Sequence, residues 1–266
     1  MRSVVRFFKL TGAVAFWTVL VSASWVALLG VANPPVTWVM VEQSREQEEF
    51  HRRNVRLEEM ARAMPLAVIS SEDQRFMTHG GFSTEQIKRA LGMKQPGFSW
   101  SEFLESLWKK KPGKRVKGAS TISQQTAKNV FLWPGRSKLR KVLEAWFTIL
   151  IETLWTKERI LEVYLNVAEM GQGVFGAEAA AQHCFGKPAA RLTPAQAALI
   201  TVTLPSPRRF NCARPSPYMR ARQPWVLRQM RHVGDVLDPE VLARRKAKIE
   251  AEERKAEERA ARRKKK

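Results

Sequence analysis

From Leu10 to Val41 the chain runs for 32 residues without a single charged side chain. About 20 apolar residues are enough to cross a bilayer core as a helix, so one end of this protein belongs in a membrane. Thr11 to Val31 is the expected span, because Asn33-Pro34-Pro35 breaks a helix beyond it. Arg2, Arg6 and Lys9 precede the run and Glu42 follows it. By the positive-inside rule the N-terminus then stays in the cytoplasm and the body lies across the membrane. A cleaved signal peptide fits less well. The run exceeds the usual apolar core of about 7 to 15 residues, and Val31-Ala32-Asn33 is a poor cleavage site.

The chain has 266 residues, room for one catalytic domain of about 200 residues plus extensions. We expect a cytoplasmic stub and anchor over 1–35, a catalytic domain over 36–235 and a charged tail over 236–266. The net charge is +21; the last 23 residues hold twelve Lys/Arg against five Asp/Glu, so fourteen of those charges lie elsewhere. A basic chain seeks nucleic acid, an anionic membrane surface or a phosphorylated substrate, and the apolar span favours the membrane. Cys184 and Cys212 are compatible with a disulfide and equally with two buried thiols. The four histidines, at 51, 79, 183 and 232, lack metal-ligand spacing.

Chemistry concentrates between Gly118 and Glu144, GASTISQQTAKNVFLWPGRSKLRKVLE. Ser120, Thr121, Ser123, Gln124 and Gln125 supply donors and acceptors, while Lys128, Arg136, Arg140 and Lys141 supply positive charge. That mixture suits a phosphorylated, hydroxyl-rich ligand. From Ser137 onward Leu139, Val142, Leu143, Trp146, Phe147 and Leu150 recur at helical spacing, placing Glu144 one turn from Arg140 and Lys141 as an ion-pair cluster. Alone, an RKxxE pattern reads as a solvated basic helix; the upstream Ser/Gln cluster favours a ligand site.

Elsewhere the pattern is helical. Glu42 to Ala63 reads as a helix rising from the membrane and ending near Met64-Pro65. The apolar run Leu66 to Ile69 leads into Glu72-Asp73, read either as acids complementing a helix N-terminus or as a site where one carboxylate, desolvated against Phe76, acts as a general base while its neighbour pairs with Arg75 or a backbone donor. Ser83 to Gln86 fits a capping box. Met93 to Lys117 combines aromatics with lysines, read either as a patch packed on the domain or as a segment dipping into the membrane interface. Thr156 caps a helix over Lys157 to Asn166. Gly171, Gly173 and Gly176 allow a tight loop before Ala177 to Phe185. Thr193-Pro194-Ala195-Gln196 starts an apolar core helix. Asn211 to Val233 reads as a basic amphipathic helix, and Ala243 to Lys266 as a helical or frayed tail. With alternating β-branched residues nearly absent, the fold class is mainly α.

Four blocks, in order, carry a family resemblance: Glu72-Asp73-x-x-Phe76-x-x-His79-x-Gly81, Gly118-Ala119-Ser120-Thr121-Ile122-Ser123-Gln124-Gln125 with Lys128-Asn129, Arg140-Lys141-x-x-Glu144, and Lys157-x-x-Ile160-Leu161-x-x-Tyr164-Leu165-Asn166. The chain resembles the monofunctional biosynthetic peptidoglycan transglycosylases, whose glycosyltransferase domain is shared with bifunctional penicillin-binding proteins. The resemblance covers about Met40 to Val233. It implies a lysozyme-like, mainly α glycosyltransferase domain behind one N-terminal transmembrane helix. The resemblance further implies that such a domain polymerises lipid II into β-1,4-linked glycan with inversion and release of undecaprenyl pyrophosphate. By motif, Glu72 matches the general base and Glu144 the second essential carboxylate. Lys128, Arg136, Arg140 and Lys141 match cations at the pyrophosphate, and Ser120 and Gln125 polar lining. Asp73, Phe76, His79, Gly81, Thr121, Gln124, Asn129 and Asn166 match supporting motif positions.

The resemblance calls for no cofactor, with a divalent cation (Mg²⁺ or Mn²⁺) at the pyrophosphate left open. The partners it implies are lipid II, the growing glycan strand, the membrane, and cell-wall synthesis and division proteins, with no nucleic acid. The implied location is the bacterial inner membrane with the catalytic domain on the periplasmic side. The aromatic insertion between Gly92 and Gly118 and the basic tail depart from the family pattern. The rival readings are a peptidoglycan-cleaving lysozyme-like enzyme, which has no need of the cation set, and a membrane-tethered adaptor without chemistry.

Overall fold

In the computed structural model the described residues are 2–44, 51–82, 120–135 and 137–264. The expected capping box at Ser83, the Met93 to Lys117 segment and Arg136 lie outside them. Helix α1 spans Arg2–Val31, and its apolar part, Lys9–Val31, is long enough to cross a bilayer. Then come α2 (Trp38–Ser44), β1 (His51–Arg52), α3 (Ala63–Glu72), α4 (Ile122–Phe131), α5 (Lys138–Leu154) and α6 (Lys157–Val167). A hairpin of β2 (Glu169–Gly171) and β3 (Val174–Phe175) precedes α7 (Ala177–Phe185), α8 (Pro194–Thr201), α9 (Pro217–Val233) and α10 (Pro239–Lys264).

Helix α3 is the hub. Its Met64, Ala67, Val68 and Ile69 are buried because α8 and α9 both pack on it. α8 suits that position: Ala197, Ala198 and Ile200 are small or apolar and fully buried, and Thr201 returns its hydroxyl to the Ala197 carbonyl. A second layer forms where α4 packs on α5 and α6, around Ile122, Ile151, Ile160 and Leu161. The small sheet has the order β1-β3-β2, parallel then antiparallel.

The expected caps at Thr156 and Thr193 are present, and Ser137 adds another. Thr156 Oγ1 accepts from Arg159 N, Ser137 from Arg140 N, and Thr193 forms a capping box with Gln196 ahead of Pro194. Gly176 holds φ +87°, and a Cβ there would lie 3.0 Å from the Asn166 carbonyl oxygen, so the turn into α7 requires glycine.

Residues 42–63 do not form one helix. α2 ends at Ser44, and His51–Arg52 is strand. The Asn166 side chain takes both backbone groups of Val55, each at 2.9 Å, and Glu162 accepts from Leu57 N at 2.8 Å. Those partners on α6 replace helical bonds and hold the segment out of a continuous helix, with a single 3-10 turn at Leu57–Glu59. Pro65 lies in the first turn of α3 rather than ending a helix before it, a position where its missing N–H is not needed. α9 begins at Pro217, capped by Ser216, not at Asn211. The segment before it is drawn out to Cys212, which forms a disulfide with Cys184. The tail is helix α10, joined to the body by Arg245, which donates to the His232 and Val233 carbonyls at the end of α9.

Helix α1 is bound to the body along one side. Trp146 Nε1 donates to Ser22 Oγ at 3.2 Å and Trp155 Nε1 to the Val26 carbonyl at 2.8 Å. Trp25 meets Phe131 and Phe147 edge-on. Arg159 donates to the Leu29 and Ala32 carbonyls, satisfying acceptors that a helix C-terminus leaves without intrahelical partners.

Candidate active site

α3 stops at Glu72 because Asp73 leaves helical geometry, and Asp73 is then tied down on several sides. Its buried carboxylate accepts from Ile122 N at 3.1 Å, at the start of α4, where the helix dipole favours an anion. It also lies 2.8 Å from His79 Nε2. His79 Nδ1 accepts from Gly81 N, so the ring carries its proton on Nε2 and donates it to Asp73. Thr121 donates to the Gly81 carbonyl at 2.7 Å and closes a capping box with Gln124. Gly81 holds φ +84°, and a Cβ there would meet Glu152 and Thr148 at 2.8 Å. Asp73, His79, Gly81, Thr121 and Gln124 thus stitch the loop after Glu72 to the start of α4. Asp73 finds a backbone donor, as expected, while Arg75 pairs with Glu253 of α10.

Glu72 is half-buried and accepts from Gln125 Nε2 at 3.1 Å. Gln125 Oε1 accepts in turn from the Tyr164 hydroxyl at 3.2 Å, which fixes the amide orientation. Burial pushes the Glu72 carboxyl above its ordinary range and the charge of Asp73 adds to that. The Gln125 bond, Arg222 and Lys128 pull it partly back.

Gln125, Lys128 and Asn129 lie on one face of α4, as their spacing requires, and line a cavity of about 410 Å³ together with Arg140 of α5. Glu144 is buried beside it, paired with Lys141 and 3.7 Å from Arg140 Nη1. Lys128 lies within electrostatic reach of both carboxylates. Burial, then the charges of Arg140 and Lys141, lower its pKa, while Glu144 and Glu72 oppose them. Arg140 Nε is buried and has no hydrogen-bond partner among the described residues. Such a donor suits an oxyanion seated in the cavity.

Glu72, Glu144 and Lys141 flank the cavity without lining it, and other expected positions also fall outside its wall. Ser120 is half-buried and presents its backbone carbonyl 3.5 Å from Gln125 Nε2. Phe76 is core and carries Lys157 Nζ 4.7 Å above its ring; Lys157 also pairs with Glu152, which accepts from Ser123. Asn166 is occupied with Val55. Sequence reading placed Tyr164 in a motif block without a site role and missed Arg222. The first was legible as a polar tip on an apolar helix face; the second had no local signal, since only the packing of α9 on α3 brings it near Glu72. Among the described residues no three His, Cys, Asp or Glu side chains converge on a metal-sized site.

A family model described as Transglycosylase matches residues 39–95 and 92–231. The biosynthetic peptidoglycan transglycosylase of Aeromonas hydrophila is 47% identical over 216 residues, covering 79% of this chain and 85% of that protein. That of Pseudomonas aeruginosa is 46% identical over 224 residues, covering 82% and 90%, and that of Escherichia coli 47% identical, covering 79% and 83%. The chain belongs to the transglycosylase family, as a lysozyme-like glycosyltransferase of the biosynthetic peptidoglycan transglycosylase type.

Proposed function

We propose that this enzyme polymerises lipid II into β-1,4-linked glycan on the periplasmic side of the bacterial inner membrane. Undecaprenyl pyrophosphate leaves as the strand grows. Glu72 takes the proton from the acceptor sugar 4-hydroxyl, and that oxygen attacks C1 of the donor as the bond to pyrophosphate breaks. Attack opposite an α-linked pyrophosphate inverts the centre. Lys128, Arg140 and Lys141, with Arg136, receive the negative charge that develops on the leaving group, and Glu144 holds Arg140 and Lys141 in place. Fixed charge of this kind is usually the largest catalytic contribution, while a positioned base adds about 10²- to 10⁴-fold.

One observation carries the reading: Lys128 stands in the cavity wall within electrostatic reach of both Glu72 and Glu144. A carboxyl raised by burial suits a base working near neutral pH. The bonds from Trp146, Trp155 and Arg159 to α1 support a retained anchor over a cleaved signal. The Cys184–Cys212 disulfide supports an oxidising compartment. We assign residues 36–235 to the catalytic domain, 1–35 to the stub and anchor, and 236–266 to the tail.

The test is incubation of the purified full chain with labelled lipid II, and separately with intact glycan. Polymer that disappears in Glu72→Gln supports the transferase. Shortened glycan would support a lytic enzyme instead, and neither product would leave an adaptor.

A further inference from the structure

The cavity has walls of two kinds. Gln125, Lys128 and Arg140 stand on helices, whereas Leu204, Pro205 and Pro207 belong to the connection between α8 and α9. At its start that connection is tied to β2, where Thr203 Oγ1 donates to the Met170 carbonyl at 2.6 Å. Beyond Thr203 the backbone bonds of Ser206, Arg209 and Phe210 close on the connection itself, to Thr203 and Ser206. Its far end is covalent: Cys212, 3% exposed, is joined to Cys184 in the last turn of α7. α7 is a fixed post, since Ala177, Ala180 and Ala181 are fully buried and Glu178 accepts from Ala189 N. Phe210 stacks on Tyr218 of α9 beside it, with ring centroids 5.4 Å apart.

We infer that the Cys184–Cys212 disulfide is a positioning device for substrate. It holds the Leu204-Pro205-Pro207 wall against the cation wall, so that the affinity for the lipid-linked sugar pyrophosphate depends on it. The inference rests on the cavity being the substrate site. Without the crosslink the connection is next anchored where it enters α9 at Pro217, so the wall samples more conformations and binding must order it at the expense of affinity. Pinned at Cys212 as well, the wall is preorganised. The crosslink is made by thiol–disulfide exchange with a disulfide-donating oxidoreductase. The two cysteine thiols lose two protons and two electrons, and the donor leaves as a dithiol.

The experiment compares the full chain, oxidised, with Cys184→Ala/Cys212→Ala in lipid II polymerisation and in limited trypsin digestion. In the variant KM rises about fivefold while kcat stays within about twofold, the pattern of lost binding rather than lost chemistry. Trypsin also cuts sooner after the exposed Arg208 and Arg209. If the variant fails to fold, purified wild type is reduced with dithiothreitol. Thiol titration verifies two new thiols, and reoxidation restores the original KM. An unchanged KM together with unchanged cutting at Arg208 and Arg209, in protein that polymerises lipid II, overturns the inference. Oxidised wild type that makes no polymer overturns the proposed function instead.

Discussion

Gln125 donates to the Glu72 carboxylate across 3.1 Å while its own carbonyl oxygen is held by Tyr164. The amide therefore cannot flip without losing both bonds, and Glu72 always meets a donor. That bond works against burial, which raises the Glu72 pKa.

The acid limb of kcat/KM should consequently lie above the ordinary carboxylate range of about 4, because a base is active only when deprotonated. Removing the donor in Gln125→Leu takes away a stabiliser of the charged form, so the limb moves to still higher pH. A pH profile of lipid II polymerisation reads both effects, and a limb that moves to lower pH would contradict this account.

Glu72→Gln should abolish polymerisation yet stabilise the fold. With its folded pKa raised, Glu72 binds more protons in the native than in the unfolded state, so its stability contribution is present below the unfolded pKa. That contribution is lost as pH rises through the folded pKa. A neutral amide does not suffer that loss. Thermal unfolding at pH 8 should give a higher Tm for the variant, with the difference shrinking toward pH 4; a lower Tm at pH 8 argues against it.

Lys128→Met should lower kcat by about 10²- to 10³-fold, the usual effect of deleting one preorganised charge-stabilising group. Glu144→Gln releases Lys141 and Arg140 from their shared partner and should lower kcat by a comparable factor of about 10². Steady-state kinetics on lipid II decides, and full activity in either variant removes that residue from the site.

Trp155→Phe deletes the donor to the Val26 carbonyl and should destabilise the micelle-solubilised protein by about 0.5–1.5 kcal/mol. Arg159→Met strips α1 of bonds at Leu29 and Ala32 and should do at least as much. If neither shifts the unfolding midpoint, α1 is a tether and not a packed element.

Gly176→Ala should lower stability by about 1–3 kcal/mol, because φ +87° is strained for a residue with a Cβ. Urea unfolding measures it.

Much of this molecule was legible residue by residue. The uncharged run marked α1, the Thr156 and Thr193 caps marked α6 and α8, and the spacing of Arg140, Lys141 and Glu144 put them on one face. These are local effects, set by helical period and by side chains that bond their own neighbouring backbone. The break in the expected 42–63 helix was not legible, since Asn166 reaches Val55 from 111 residues away. Nor was the pairing of Cys184 with Cys212, nor the approach of Arg222 to Glu72. Sequence alone determined which residues carry charge and which segments coil. Only the packing of α4, α5, α8 and α9 decided which of those charges meet, because burial and proximity belong to contacts between segments and have no local pattern.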